Sequence, residues 1–319
     1  MIKFLKNLFS ANNATQEEDT EKNNKKNFDI LKYDGIRAQN IRKWAYAEKC
    51  FKEALNIQPD MEVMRLLINN SIQLNNLELA TEVAKQATEV YSDKYENFIN
   101  LAHIYYMCEK YDDMLIAAQQ ATRLNPENEN CYYTQAQAYQ KQGDVINTIA
   151  TLTQAIGKND KFTEAYLMRS KVLLELRQMN EAKADIDTLL EQDPENEEAL
   201  LIAGNIEMQK GNEENAIRLY NQVIELNPFN EQAYIQAALL FINKQDWEKA
   251  LEQVNEALEN TETAALYQLR GKIKLETGDK NGSIEDVKKA MELNPEEKNS
   301  INGTFNNFDS LYNKVNPLG

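Results

Sequence analysis

Five of the six prolines in this 319-residue chain fall on one register. Pro59, Pro126, Pro194, Pro228 and Pro295 are separated by 67, 68, 34 and 67 residues, multiples of a period of 33 to 34. Proline disfavours the helical conformation for the residue before it, so each marks the end of a helix. The approach to it recurs as well, in Leu124-Asn125-Pro126, Leu226-Asn227-Pro228 and Leu293-Asn294-Pro295. Where proline is missing, Asp93, Asp160 and Thr261 stand at or beside the same place. A fixed period of this length restricts the chain to an array of like units, each burying its apolar side against the next.

Three further columns give the unit its internal structure. Before each stop comes Ala54, Ala87, Ala121, Ala155, Leu189, Val223, Ala257 or Ala290, and a turn earlier a side chain that varies from Ala84 to Phe51 and Tyr220. Upstream lies a small-residue column of Gly35, Ala102, Ala136, Ser170, Gly204, Ala238 and Gly271, from which Ile68 alone departs. Small residues facing larger ones at helical spacing predict two helices in close contact. Between them sit Gln142-Gly143-Asp144, Lys210-Gly211-Asn212 and Thr277-Gly278-Asp279, where glycine supplies the left-handed residue that closes a helix. The unit reads as helix, turn, helix. The whole chain has only 10 glycines in 319 residues and 42% apolar residues, in keeping with long helices and short turns.

This pattern resembles the tetratricopeptide repeat family, in which a Gly or Ala in the first helix, an Ala and an aromatic in the second and a terminal Pro recur. Eight repeats are expected, over 28–60, 61–94, 95–128, 129–162, 163–196, 197–230, 231–263 and 264–297. The resemblance implies an all-α, right-handed superhelical solenoid whose first helices line a concave groove that holds a peptide or protein segment. The groove positions carried over are Ile99 and His103, Tyr133 and Gln137, Leu167 and Lys171, Leu201 and Asn205, Ile235 and Leu239, and Gln268 and Lys272. Over repeats five to seven they form an apolar strip with an acidic edge at Glu164 and Glu198, alternatively read as side chains already covered by neighbouring helices. One subset of the family clamps a peptide carboxylate with Lys and Asn four residues apart; here Lys32 is followed by Ile36, and Lys171 and Lys272 are isolated, so that clamp is not expected.

The formal charge is -16, with residues 1–59 carrying 11 Lys/Arg against 8 Asp/Glu. So acidic a body argues against nucleic acid, whose phosphates need neutralising, and suggests a protein partner with apolar anchors and basic flanks. Cys50, Cys108 and Cys131 have neither CxxC spacing nor histidine partners, so no disulfide framework and no metal site are expected. His103 is the only histidine; it is either an ordinary polar helix position or a groove group titrating near neutral pH. Nucleophile–base pairs and phosphate-cradling loops are missing, so neither catalysis nor a cofactor is expected. Glu197-Glu198 follow a helix-ending proline, where acids suit the start of the next helix.

The two ends differ from the array. Ile2, Phe4, Leu5, Leu8 and Phe9 occupy one arc of a helical wheel and Lys3, Lys6, Asn7 and Ser10 the other. Residues 1–10 are therefore expected to form an amphipathic helix, joined by a flexible polar linker over 11–27. It could cap the first repeat, meet a partner or touch a membrane surface with help from Lys32, Arg37, Arg42 and Lys43. Residues 298–319, with Phe305, Phe308, Leu311, Tyr312 and Val315 at helical spacing, are expected to cap the last repeat. No run approaches the roughly 18 apolar residues of a membrane span. A scaffold or adaptor in the cytoplasm is the expectation, with a peripheral membrane assembly factor as the alternative.

Overall fold

The computed structural model describes residues 22–294, and all regular structure among them is helical. The chain divides into two compact units, one ending at Lys158 and the other beginning at Asn159. In the first unit four hairpins follow one another: α1 over residues 22–40 with α2 Trp44–Ile57, α3 Met61–Gln73 with α4 Leu77–Val90, α5 Tyr95–Met107 with α6 Tyr111–Leu124, and α7 Glu129–Lys141 with α8 Val145–Lys158. The second unit repeats the plan with α9 Thr163–Glu175 and α10 Met179–Gln192, α11 Glu197–Gln209 and α12 Glu213–Leu226, α13 Glu231–Asn243 and α14 Trp247–Asn260, and α15 Ala264–Glu276 and α16 Lys280–Leu293. Within each unit every helix packs on its successor, and α5 on α7, α9 on α11 and α13 on α15 show first helices meeting directly. Each unit is a solenoid of helical hairpins. The first helices of the second to eighth hairpins start at Met61, Tyr95, Glu129, Thr163, Glu197, Glu231 and Ala264. The first helix starts earlier than expected, so residues 22–27, read as part of a linker, are helical.

The eight hairpin turns share one solution. Arg42, Asn75, Glu109, Gly143, Arg177, Gly211, Gln245 and Gly278 all have positive φ, between 54° and 89°. The residue after each donates its backbone N–H to the carbonyl five residues back, as from Lys43 to Ala38, Lys110 to Tyr105 and Asp246 to Phe241. That pairing satisfies the orphan carbonyls of the helix end. Many helix starts carry side-chain caps: Asp60, Asn76, Asn128, Asn196, Asn230, Asp246, Thr263 and Asp279 each accept from the backbone N–H three residues on.

The core of each hairpin is a volume exchange. A Cβ added to Gly35 would stand 2.4 Å from the Phe51 ring, and one added to Gly204 would stand 2.4 Å from that of Tyr220. In the second repeat the exchange is inverted, with Ile68 in place of glycine and Ala84 in place of the ring, both in the same core cluster. The one departure from the small-residue column is thus compensated by its partner, because a filled core tolerates redistribution of volume better than its loss. Trp247 packs, partly buried, against the cluster around α13 and α14.

Two repeats of the second unit place ion pairs beside this seam, one residue earlier on each helix. Arg169 donates from Nε to Asp185 Oδ2 at 2.8 Å and from Nη2 to Oδ1 at 2.5 Å, and lies 5.7 Å from the Tyr166 ring centre. Arg270, Asp286 and Tyr267 repeat the arrangement, at 2.9, 2.7 and 5.2 Å. Neighbouring repeats are also tied at their helix starts. Glu197 Oε2 accepts from the side-chain amides of Asn227 and Asn230, both at 2.9 Å, and Glu231 Oε1 from the Thr263 hydroxyl at 2.7 Å.

Candidate functional site

The side of each first helix turned away from its own second helix is the candidate binding face, and the two units present it differently. In the second unit Leu167, Ile235 and Leu239 are only 9%, 8% and 3% exposed. Ile235 and Leu239 share a core cluster with Leu266, Leu269 and Ile273 of the next first helix. The expected apolar strip is therefore largely a seam between repeats, because adjacent first helices approach closely enough to cover these side chains. Leu201, Met208 and Ile242 stay half-buried, as do Asn205, Gln268 and Lys272. Asn205 Oδ1 accepts from the Tyr220 hydroxyl at 2.8 Å, and burial pushes that phenol well above the usual tyrosine range. Lys171 is exposed and paired with Glu198 of the next first helix.

In the first unit the same face is open and polar. Ile99, Tyr133 and Gln137 are half-buried, and His103, Arg65, Asn69, Gln73 and Lys141 are exposed. Tyr106 and Met107 are 39% and 45% exposed. The Lys141 ammonium lies 5.2 Å from the Tyr106 ring centre, and a hydrogen bond with that tyrosine holds it above the usual lysine range. His103 has solvent at its surface, yet the protein mass around it disfavours its charged form and lowers the imidazole below the ordinary histidine value. At neutral pH it is therefore a neutral donor and acceptor. At the other end of the face a shallow cleft of about 350 Å³ is lined by Gln39, Asn40, Trp44, Asn69, Ile72 and Gln73. Gln39 Nε2 donates to the Leu66 carbonyl at 3.1 Å and Asn70 Nδ2 to the Trp44 carbonyl at 2.9 Å, which fixes its walls. Trp44 thus borders this opening.

Charge follows the same division. The first unit carries 18 Lys/Arg against 21 Asp/Glu, a net of -3, whereas the second carries 17 against 30, a net of -13. Lys32 is bound to Glu62 and lies 3.7 Å from Asp60. Arg65, Asn69, Tyr106 and Lys141 were not among the expected groove residues. Their signal in the sequence is position within the first helix: they fall in its fifth, ninth, twelfth and thirteenth places, one turn or less from the expected columns.

The cysteines take separate partners. Cys108 Sγ is 3.9 Å from Thr81 Oγ1, whereas Cys131 Sγ donates to Asn128 Oδ1 at 3.6 Å and its thiol is pushed up to about 11 by burial. Among the described residues no group of three or more His, Cys, Asp or Glu is gathered as a metal site would need, and no helix is long and apolar enough to cross a membrane. Ile2, Phe4, Leu5, Leu8 and Phe9, and the expected cap over 298–319, lie outside the described residues.

Family models for the tetratricopeptide repeat match residues 167–231 and 264–297. Among solved structures, a tetratricopeptide repeat protein from Parabacteroides merdae is 24% identical, covering 73% of this chain and 93% of its own, with a TM-score of 0.59. PilF of Pseudomonas aeruginosa is 13% identical over 63% of this chain and 92% of its own, with a TM-score of 0.53. The Cut9–Hcn1 hetero-tetramer of the APC/C contributes a chain 12% identical, covering 85% of this chain and 54% of its own, with a TM-score of 0.54. At these identities the likeness is one of fold. No curated protein matches this sequence.

Proposed function

We propose that the chain, which carries tetratricopeptide repeats over residues 167–231 and 264–297, acts as a scaffold holding an extended peptide segment against the first-helix face of residues 22–158. One observation carries this reading. The first unit keeps a continuous set of hydrogen-bonding and aromatic side chains (Asn69, Gln73, His103, Tyr106, Lys141) exposed on the face where the second unit packs leucine and isoleucine between its repeats. Exposed amides suit the N–H and C=O groups that an extended chain presents, and tyrosine adds apolar contact with little loss of side-chain entropy. The half-buried Leu201, Met208 and Ile242 supply what apolar contact the second unit offers.

A display library of random peptides selected on the full chain tests the reading. Enriched peptides should lose at least about tenfold in affinity, about 1.4 kcal/mol, when Asn69 and Tyr106 are both changed to alanine. They should keep it when Glu82 and Arg123, exposed on the second helices α4 and α6, are changed. Equal loss from both pairs, or from neither, rejects this face as the binding site.

A further inference from the structure

We infer that the segment held by the first unit is acidic, its carboxylates answering a diagonal row formed by Arg65, His103 and Lys141. The inference rests on the binding face proposed above and adds the chemistry of its ligand. Arg65 is the fifth residue of α3, His103 the ninth of α5 and Lys141 the thirteenth of α7, so successive members are 38 residues apart. That stride is one repeat of 34 plus one helical turn. Each step across the face therefore moves about 6 Å along the helix axis and about 10 Å sideways. The resulting spacing of about 12 Å is spanned by three to four residues of extended chain.

Charge decides which chain. The acids of α3, α5 and α7 are Glu62, Glu96 and Glu129, all in first turns, where the helix macrodipole accounts for them. Glu62 is taken up by Lys32. The macrodipole also accommodates Lys141 in a last turn, but not Arg65 near the start of its helix. Among the described residues neither Arg65 nor Lys141 makes an ion pair, whereas Lys171 at the matching face of the second unit is paired with Glu198. The charge of Glu109 raises Lys141, but the two form no salt bridge. A protein of net charge -16 has acids to spare, and this face holds its cations apart from them. Exposed, uncompensated cations on a hydrogen-bonding surface are complementary to carboxylates, and the neutral imidazole between them can donate to a third. The ligand sign is thus opposite to that suggested by the net charge of the whole chain.

The test is a random-peptide selection on the full chain in parallel with an Arg65→Glu/Lys141→Glu variant. Because both side chains are exposed, the variant should keep the parent's circular dichroism; Arg65→Gln/Lys141→Gln serves as a milder second variant. Peptides enriched on the parent should carry Asp or Glu at intervals of three to four. Their affinity should fall about tenfold or more on either variant and weaken with added salt, and the charge-reversed variant should enrich basic peptides instead. Neutral or basic peptides enriched on the parent, yet displaced by the Asn69→Ala/Tyr106→Ala change, would overturn the acidic ligand and leave the binding face standing. Failure to enrich any peptide that depends on this face would overturn both.

Discussion

At the scale of single residues, the hairpin turns show how much backbone cost the array tolerates. Five of the eight left-handed positions are occupied by Arg42, Asn75, Glu109, Arg177 and Gln245 instead of glycine. A left-handed L-residue costs about 1–2 kcal/mol, of which glycine's greater unfolded freedom takes back about 0.5–1. Arg177→Gly or Gln245→Gly should therefore raise the urea midpoint by the equivalent of about 0.5–1 kcal/mol. Asn75→Gly should gain less, since asparagine already visits this region readily. An unchanged or lowered midpoint for Arg177→Gly would mean that the turn's conformation is not where strain resides. The glycines at three turns were readable from sequence; the other five were not, because their identity is set by the geometry of the hairpin and not by local preference. Volume exchange is likewise a residue-scale matter. Ala84→Phe should destabilise the second hairpin by about 1–3 kcal/mol through overpacking against Ile68. Adding Ile68→Gly recreates the Gly35–Phe51 pairing and should recover most of that loss in a thermal melt. Additive losses would refute the exchange.

At the scale of helices and hairpins, the periodicity that specifies a fold says little about what covers a face. The period, the eight hairpins and the packing columns are legible because they depend on residues three, four and 34 positions apart. Helical spacing alone leaves Leu167, Ile235 and Leu239 open to both readings, an open strip or side chains under neighbouring helices, because it gives a side chain's direction but not how closely the next first helix approaches it; their burial favours the second. The ties from Glu197 to Asn227 and Asn230 were equally hidden, since they join helix starts about one repeat apart. The Arg270–Asp286 pair makes the element-scale prediction. Burial pushes the Asp286 carboxyl up, but hydrogen bonds from Arg270 and Lys274 more than reverse that and hold it below the usual carboxylate range. Its folded value lies below its unfolded one, so its contribution is present above about pH 4 and is lost as pH falls through the folded value. Asp286→Ala should cost about 3 kcal/mol at pH 7 by leaving a largely buried guanidinium without its partner. Arg270→Leu/Asp286→Ala, which copies Leu101 and Ala117 of the third repeat, should be less destabilised than Asp286→Ala and lose stability less steeply than the parent as pH falls below about 4. A double variant worse than Asp286→Ala would mean that the ion pair is not replaceable by the apolar seam used elsewhere.

At the scale of the whole molecule, the quantity to explain is what stabilises a chain of stacked hairpins. In a repeat array the stabilising terms are those within a hairpin and those between nearest neighbours, so stability depends on the number of stacked hairpins. Each unit stacks four, above the roughly three that such architectures need. Each also has its own buried series, from Ala47 and Phe51 to Ala138 in the first and from Ala216 and Tyr220 to Ile273 in the second. Residues 1–158 and 159–319 should therefore fold when produced separately, each with a cooperative thermal transition and helical circular dichroism. Their charges, -3 and -13, predict different responses to salt: the second fragment, self-repelling at low ionic strength, should gain more in melting temperature between about 10 mM and 300 mM salt, over which the screening length shrinks severalfold. Truncating the first fragment by one hairpin, to residues 1–124, should lower its melting temperature without abolishing the transition. Loss of helicity in either four-hairpin fragment would show that nearest-neighbour stacking within a unit is not enough, and that stability is a property of the full array.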